Sequence, residues 1–298
     1  MLPIWTFLLM LVPPFFYGLT NLVDYKLVNA PGTNHVPTMV FLSSLTNILF
    51  VSLLLLFAPI SMPAAGIIPL LFLIGGLEVA YIFPYYYSFK YMDTSVISAM
   101  WALARVLTPA LAFVIVGETI GGMQYCAYFI LIAASFILSL ERGAGLRVNR
   151  GFWLMLFGGI IVVVMNVFYR SAEYKMDWIN LFFWTSVSSS IWSCALLASR
   201  NTRKNILFTL KNIKSFAPWF LVNEVFQSGG RGAQIFLLSL MPVIYLETGL
   251  SFQPLLVLGT TWIACRLWRN CPVGESRTSI SRKMICFAIM LLAAFLLI

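Results

Sequence analysis

Charge is what this sequence has least of. Only 10 % of its 298 residues are charged, ten acidic side chains against nineteen basic ones, and there is a single histidine. Soluble domains carry about 25 % charge to coat their surface, so a soluble fold, a nucleic-acid-binding module and a disordered chain are all excluded. The lone histidine, His35, falls in a loop and leaves little for general acid–base chemistry or metal ligation. Cys126, Cys194, Cys265, Cys271 and Cys286 show no CxxC or zinc-type spacing and read as packing residues. No nucleophile–base set, phosphate-cradling glycine loop or Walker motif is present. The sequence therefore points to no enzyme, no cofactor, no metal and no ATP-driven pump.

What is abundant is apolar length. Hydrophobic residues make up 61 % of the chain, and the mean hydropathy is +0.92. A membrane β-barrel would show short alternating segments, whereas these runs are continuous. Ten of them approach the about 20 residues needed to cross a bilayer as helix. They cover 4–23, 36–57, 67–89, 94–116, 123–140, 152–169, 178–199, 216–240, 243–265 and 279–298. The expectation is an all-α integral membrane protein with ten transmembrane helices. The connections after odd-numbered spans hold fifteen lysines and arginines, and those after even-numbered spans hold two. By the positive-inside rule both termini then face outward.

Five spans per half force the second half to enter the membrane upside down. At an offset of 145 residues Asn21 falls on Asn166, Ser43-Ser44 on Ser188-Ser189, Pro109 on Pro254 and Pro84 on Gly229. The chain is thus read as two inverted five-helix repeats, 1–145 and 146–298.

In this layout the sequence resembles the ten-helix EamA-type members of the drug/metabolite transporter superfamily. The local likeness is Thr108-Pro109 through Gly117-Glu118-Thr119, a proline, an apolar stretch and a Gly-Glu pair. A second likeness is the aromatic first span running into Gly18, Asn21 and Asp24-Tyr25-Lys26. The second half keeps Pro254 but has Trp262 and Ile263 where Gly-Glu would fall, and the charge bias opposes the orientation usual for such proteins. With the first span bounded at Val23, it holds no acid. The membrane glutamate of the superfamily's small proton-coupled antiporters therefore has no counterpart here.

Charges inside spans are costly and usually meet a partner or a watery cavity. Glu78 lies fourteen residues before the turn near Met92 and Arg105 thirteen after it. At about 1.5 Å per residue both lie about 20 Å from that turn. They are expected to pair, with Trp101 one helical turn away stacking on the guanidinium. In the eighth span Glu224, Gln227, Ser228, Arg231 and Gln234 recur at helical spacing and form one polar stripe. Gly229, Gly230 and Gly232 would weaken that helix opposite Pro84, the kind of interruption that marks transport sites; the alternative is close packing of helices.

The substrate-site candidates are Glu78, Tyr81, Tyr85, Trp101, Arg105, Asn166, Glu224, Gln227, Arg231 and Gln234. Arg231 is the expected contact for a substrate anion and Glu224 the expected proton carrier. The functional expectation is a secondary transporter in the cell (inner) membrane, working as an exporter. Its cargo would be small polar or amphipathic metabolites such as amino acids, with a coupled proton and a site between spans 3–4 and 8–9. It would act within the lipid bilayer as a monomer or homodimer, with no nucleic-acid partner. The alternatives are a flippase for polar lipids or lipid-linked sugars and a non-transporting membrane scaffold.

Overall fold

The computed structural model describes residues 4–28, 35–92, 94–139, 149–211, 213–257, 259–260 and 280–297. The described residues are overwhelmingly helical, with no strand among them. In chain order the helices are α1 (Ile4–Met10), α2 (Val12–Val28), α3 (Val36–Ser52), α4 (Ile68–Ser88), α5 (Thr94–Arg105), α6 (Thr108–Val116) and α7 (Gly122–Ser139). They continue as α8 (Arg150–Glu173), α9 (Trp178–Cys194), α10 (Arg200–Lys211), α11 (Ile213–Leu240), α12 (Val243–Leu250) and α13 (Ile280–Leu297).

Among the described residues, four helical stretches are long and apolar enough to cross a membrane: Val36–Leu56, Ile68–Ser88, Arg150–Glu173 and Trp178–Ala198. Shorter apolar helices run over Leu8–Asn21, Met100–Val116, Gly122–Ile137 and Val243–Val257. Polarity is distributed inside out. Phe57, Val114 and Leu49 are 84 %, 76 % and 64 % exposed, while Asp24, Glu78, Glu224 and Glu247 are buried. Lipid tolerates the first set and penalises the second.

Helix starts follow local chemistry. Asn149 caps α8 by accepting from the Phe152 N–H, and Asp177 caps α9 by accepting from those of Ile179 and Asn180. Burial alone would raise the Asp177 carboxyl, but these bonds outweigh it and hold the group below the usual carboxylate range. Gly117 ends α6 with a left-handed φ of 70°, a conformation a side chain rarely adopts.

Two spans break at prolines. Pro109 has no N–H and its ring clashes with the carbonyl four residues earlier, so α5 stops at Arg105 before α6 resumes. The freed Arg105 carbonyl accepts the Tyr128 hydroxyl at 2.9 Å. Pro254 does the same to α12, which stops at Leu250 before helical residues 253–257. The Ser251 carbonyl, within the break, accepts the Ser135 hydroxyl at 2.7 Å. Tight i→i+3 bonds mark both breaks, Leu107 N–H to Ala104 O at 3.1 Å and Phe252 N–H to Gly249 O at 3.0 Å.

The interruption expected at Pro84 and Gly229 is absent, because α4 and α11 run unbroken through both sites. The glycines serve close approach instead. A Cβ on Gly230 would lie 3.0 Å from the Tyr17 ring, and one on Gly232 3.0 Å from Phe182. The polar stretch 200–215, read as a connector, contains α10 and the first turn of α11. The first span also runs past Val23 to Val28, which brings Asp24 inside it. The expected ninth span ends outside the described residues, as do Trp262, Ile263 and the 145/146 boundary between the halves.

The principal pairings are α4 on α8, α2 on α11, α7 on α13, α4 on α9 and α3 on α9. A Cβ on Gly75 would meet Ser188 and the Ser189 backbone nitrogen at 2.4–2.6 Å, so α4 touches α9 there backbone to side chain. Gly75→Ala is expected to destabilise the fold by about 1–3 kcal/mol through overpacking. Gly122→Ala, with nothing within 4 Å of the added carbon, should leave the melting temperature in detergent unchanged. Equal melting temperatures for the two variants would refute the close contact.

Candidate functional site

A polar cavity lies at the centre of the helices, in two lobes. The first, about 560 Å³, is lined by Tyr17, Ser43, Ser44, Asn47, Glu78, Tyr81, Ile82, Met165, Tyr169, Ser189, Glu224, Gln227, Arg231 and Gln234. The second, about 690 Å³, adds Thr20, Asn21, Asp24, Tyr85, Tyr86, Trp101, Arg105, Val162, Asn166, Leu250 and Gln253. Tyr17, Tyr81, Ile82, Met165, Gln227 and Gln234 border both lobes. All ten sequence-predicted site residues line one lobe or the other. The walls extend beyond spans 3–4 and 8–9, since α2, α3, α8 and α9 also contribute side chains.

Three ion pairs among the described residues cross between the halves of the chain, two of them in this interior. Arg105 Nε meets Glu247 Oε2 at 3.0 Å, and Arg231 Nη2 meets Glu78 Oε1 at 2.5 Å. The expected Glu78–Arg105 pair does not form. Hairpin geometry gives equal depth but not direction. The helix following the fifth span, α8, packs against both α4 and α5. Its Gly158 lies against Pro84 of α4 and its Gly159 against Ala104 of α5. The α5 break then leaves Arg105 facing α12.

Trp101 does not cap Arg105 either. Its ring packs against Tyr81 and Tyr85, with centroids 6.2 and 5.8 Å away. Arg231 does lie over a ring, 5.3 Å from Phe182, as does Arg170 over Tyr174 at 4.7 Å.

Each arginine anchors a hydrogen-bonded network. Arg231 also donates to Tyr169 at 3.2 Å and Thr185 at 3.0 Å, and Tyr169 donates to Glu78. Around Arg105 the chain of donors is longer. Tyr17 donates to Gln234 at 2.6 Å, Gln234 to Asn166 at 2.6 Å, and Asn166 to Glu247 at 2.6 Å. Arg105 then reaches Gln253 through Nη2 at 3.4 Å. Such buried networks fix side chains because each unmade bond is expensive in a medium of low dielectric.

Asp24 carries a third cluster with no cation among its described partners. Tyr85, Tyr86 and Asn223 donate to it at 2.9, 3.2 and 2.9 Å. Tyr85 also approaches Asn21 Oδ1 at 2.8 Å, while Asn21 Nδ2 has no partner among the described residues. A phenol has one proton, so an Asn21 amide turned to donate to Tyr85 satisfies all three groups. Sequence reasoning missed Asp24, Tyr17 and Asn21 as one set, although i, i+4 and i+7 spacing marks a single helix face. It also left Glu247 and Tyr169 out of the site; the latter lies one turn from Asn166.

Glu118, of the Gly-Glu pair just beyond α6, is well covered. It accepts from Arg170 Nε at 2.6 Å, from Tyr174 at 3.2 Å and from the Val243 N–H at 2.9 Å. Arg170 also donates to the Leu238 carbonyl. His35 is likewise not free. Its ring contacts Thr38 at 2.9 Å and Asn201 at 3.2 Å, joining α3 to α10. The serines of α3 and α9 act mostly as a packing seam. Asn47 donates to Ser186 at 3.1 Å, and Ser190 donates to the Ser44 carbonyl at 3.0 Å.

No family model matches the chain, and no curated protein matches it. A protein of known crystal structure is similar over 98 % of this chain and 95 % of its own, with a TM-score of 0.65 and 13 % sequence identity. At that identity the likeness shows a shared fold and nothing about activity. Fold and interior together define a helical protein with apolar spans around a buried polar cavity.

Proposed function

We propose that this protein is a ten-span secondary transporter of the drug/metabolite type that moves small polar or amphipathic metabolites, in the direction of export, through the central cavity. The observation that carries this reading is the cavity itself. Lipid cannot solvate Glu78, Arg105, Glu224, Arg231 and Glu247, and folding does not require so many ionisable groups inside the bundle. Alternating access, in contrast, needs a polar surface near mid-membrane.

An inverted-repeat architecture is supported by three features. The proline breaks at 106–107 and 251–252 stand at the same offset of 145 residues as Asn21 and Asn166. The pairing of the third span with the sixth mirrors that of the eighth with the first. Finally, each ion pair joins one half to the other. The excess of basic residues in odd connections favours both termini outside the inner membrane.

Thiol chemistry separates a transporter from a scaffold. In a chain with its five cysteines replaced, Gln227→Cys and Gln234→Cys should react with a water-soluble reagent. Val222→Cys and Val225→Cys, on the exposed apolar face of α11, should not. Purified protein in liposomes should then take up a labelled metabolite from a panel of amino acids, amines and organic acids. Four unreactive positions would mean a dry interior and would favour the scaffold.

A further inference from the structure

Away from the cavity, positive charge gathers on α10, the short helix between α9 and α11. Arg200, Arg203, Lys204 and Lys211 lie on it, and no acid does. Its buried residues, Thr202, Ile206 and Thr209, recur at i, i+4 and i+7 and face the protein. A period of 3.6 turns Arg200, Lys204, Leu207 and Lys211 to the opposite side, and all four are exposed. Leu207, Phe208 and Leu210 are 62 %, 55 % and 43 % exposed. The outer face is therefore cationic at its start and apolar toward its end, with Lys211 closing it.

The place of α10 in the fold gives this face a meaning. Asn47 bonds to Ser186, and Ser190 to the Ser44 carbonyl, so α3 and α9 run antiparallel. The start of α3 and the end of α9 thus share one end of the bundle. Ser199, extended at φ −76° and ψ 122°, turns the chain away from the α9 direction. From there α10 packs against α3, the 195–198 turn and α11, and Asn201 meets the His35 ring at the head of α3. No described acid neutralises it. Asp24, Glu78, Glu224 and Glu247 are buried in the interior, and Glu118, Glu173 and Asp177 lie at the far end, where α8 stops and α9 starts. The ion pairs among the described residues leave α10 out.

Exposed leucines are costly in water, and cations are costly in hydrocarbon. The headgroup layer of a bilayer accepts both: apolar side chains sink to the acyl boundary while lysine and arginine heads stay among the phosphates. A soluble acidic partner would match the charge and leave the apolar half wet. We infer that α10 lies in the headgroup layer and binds anionic phospholipid, with Arg200, Lys204 and Lys211 on the phosphates and Leu207, Phe208 and Leu210 at the acyl boundary. Arg203 is already tethered, donating to the Leu197 carbonyl at 3.0 Å. This goes beyond the transport proposal. It rests on the membrane-crossing helices and holds whatever the cavity carries.

Native mass spectrometry of the detergent-solubilised full chain, titrated with phosphatidylglycerol or phosphatidylcholine, measures the preference. Phosphatidylglycerol should bind about tenfold or more tightly. The combined change Arg200→Gln, Lys204→Gln and Lys211→Gln should remove most of that preference. The three side chains are exposed, so this variant should keep the wild-type melting temperature in neutral detergent; Lys204→Gln with Lys211→Gln alone should remove a smaller share. Lys175→Gln, exposed beyond the end of α8, should change nothing. In a chain with its five cysteines replaced, a fluorophore on Leu207→Cys should be quenched by spin-labelled lipid in a phosphatidylglycerol-containing nanodisc. Inorganic phosphate should not displace the lipid. Equal binding of the two lipids, an undiminished preference in both variants, an unquenched label at 207, or displacement by inorganic phosphate, which marks a site for free anions, would each overturn the inference.

Discussion

Glu78→Gln and Arg231→Gln should each weaken the folded protein by about 3–5 kcal/mol, and the double variant should lose less than the sum of the two. A buried charge deprived of its partner keeps its desolvation penalty and forfeits the attraction that offset it. Arg231 is held by Glu78, Tyr169 and Thr185 at once, so losing Glu78 leaves a cation with only neutral partners. Chemical denaturation of the four proteins in detergent measures the coupling, which should exceed about 1 kcal/mol. Arg105 and Glu247 should behave in the same way. A cycle across networks, Glu78 with Arg105, should be additive within about 0.5 kcal/mol. The reverse pattern, coupling in the cross cycle and additivity within the pairs, would show that these contacts are not the ones that hold the interior together.

The second large effect is expected at Glu118→Ala. One carboxylate here holds Arg170 and Tyr174 at the end of α8 and the Val243 N–H at the start of α12, while Arg170 grips the end of α11. Three helix ends are therefore tied together by one carboxylate. Charge-assisted bonds of this kind contribute about 1.5–3 kcal/mol each. Removing the acceptor should speed the reaction of Gln234→Cys with a membrane-impermeant reagent by about tenfold or more. Glu118→Gln should give a smaller increase, since an amide oxygen still accepts. An unchanged rate in Glu118→Ala would mean that this cluster does not close the cavity.

Much of this arrangement was readable from residue spacing. The α11 stripe identified Glu224, Gln227, Arg231 and Gln234 because a period of 3.6 fixes which side chains share a face. Exposed Val222 and Val225 occupy the opposite face, as that period requires. Depth was readable too: Glu78 and Arg105 both lie in the interior. Azimuth was not, because nothing in a hairpin's length reveals that α8 packs against both of its arms. The helix breaks were signalled by Pro109 and Pro254, whereas Pro84 and the glycine run produced none. Proline interrupts a helix only where its clash is not absorbed, and Pro84 lies against Gly158. Asp24 was lost by ending a span at the first charge, although hydroxyl and amide donors can carry a carboxylate well inside a helical bundle.

The crossed ion pairs also set a timetable for biogenesis. Arg105 and its partner Glu247 are 142 residues apart in the chain. At a synthesis rate of about 5–20 residues per second, Arg105 emerges roughly 7–28 s before the carboxylate that neutralises it. Glu78 waits for Arg231 in the same way. During that interval the nascent first half carries two charges that have no partner in each other. It must either keep them near water or be shielded by the insertion machinery until the second half arrives.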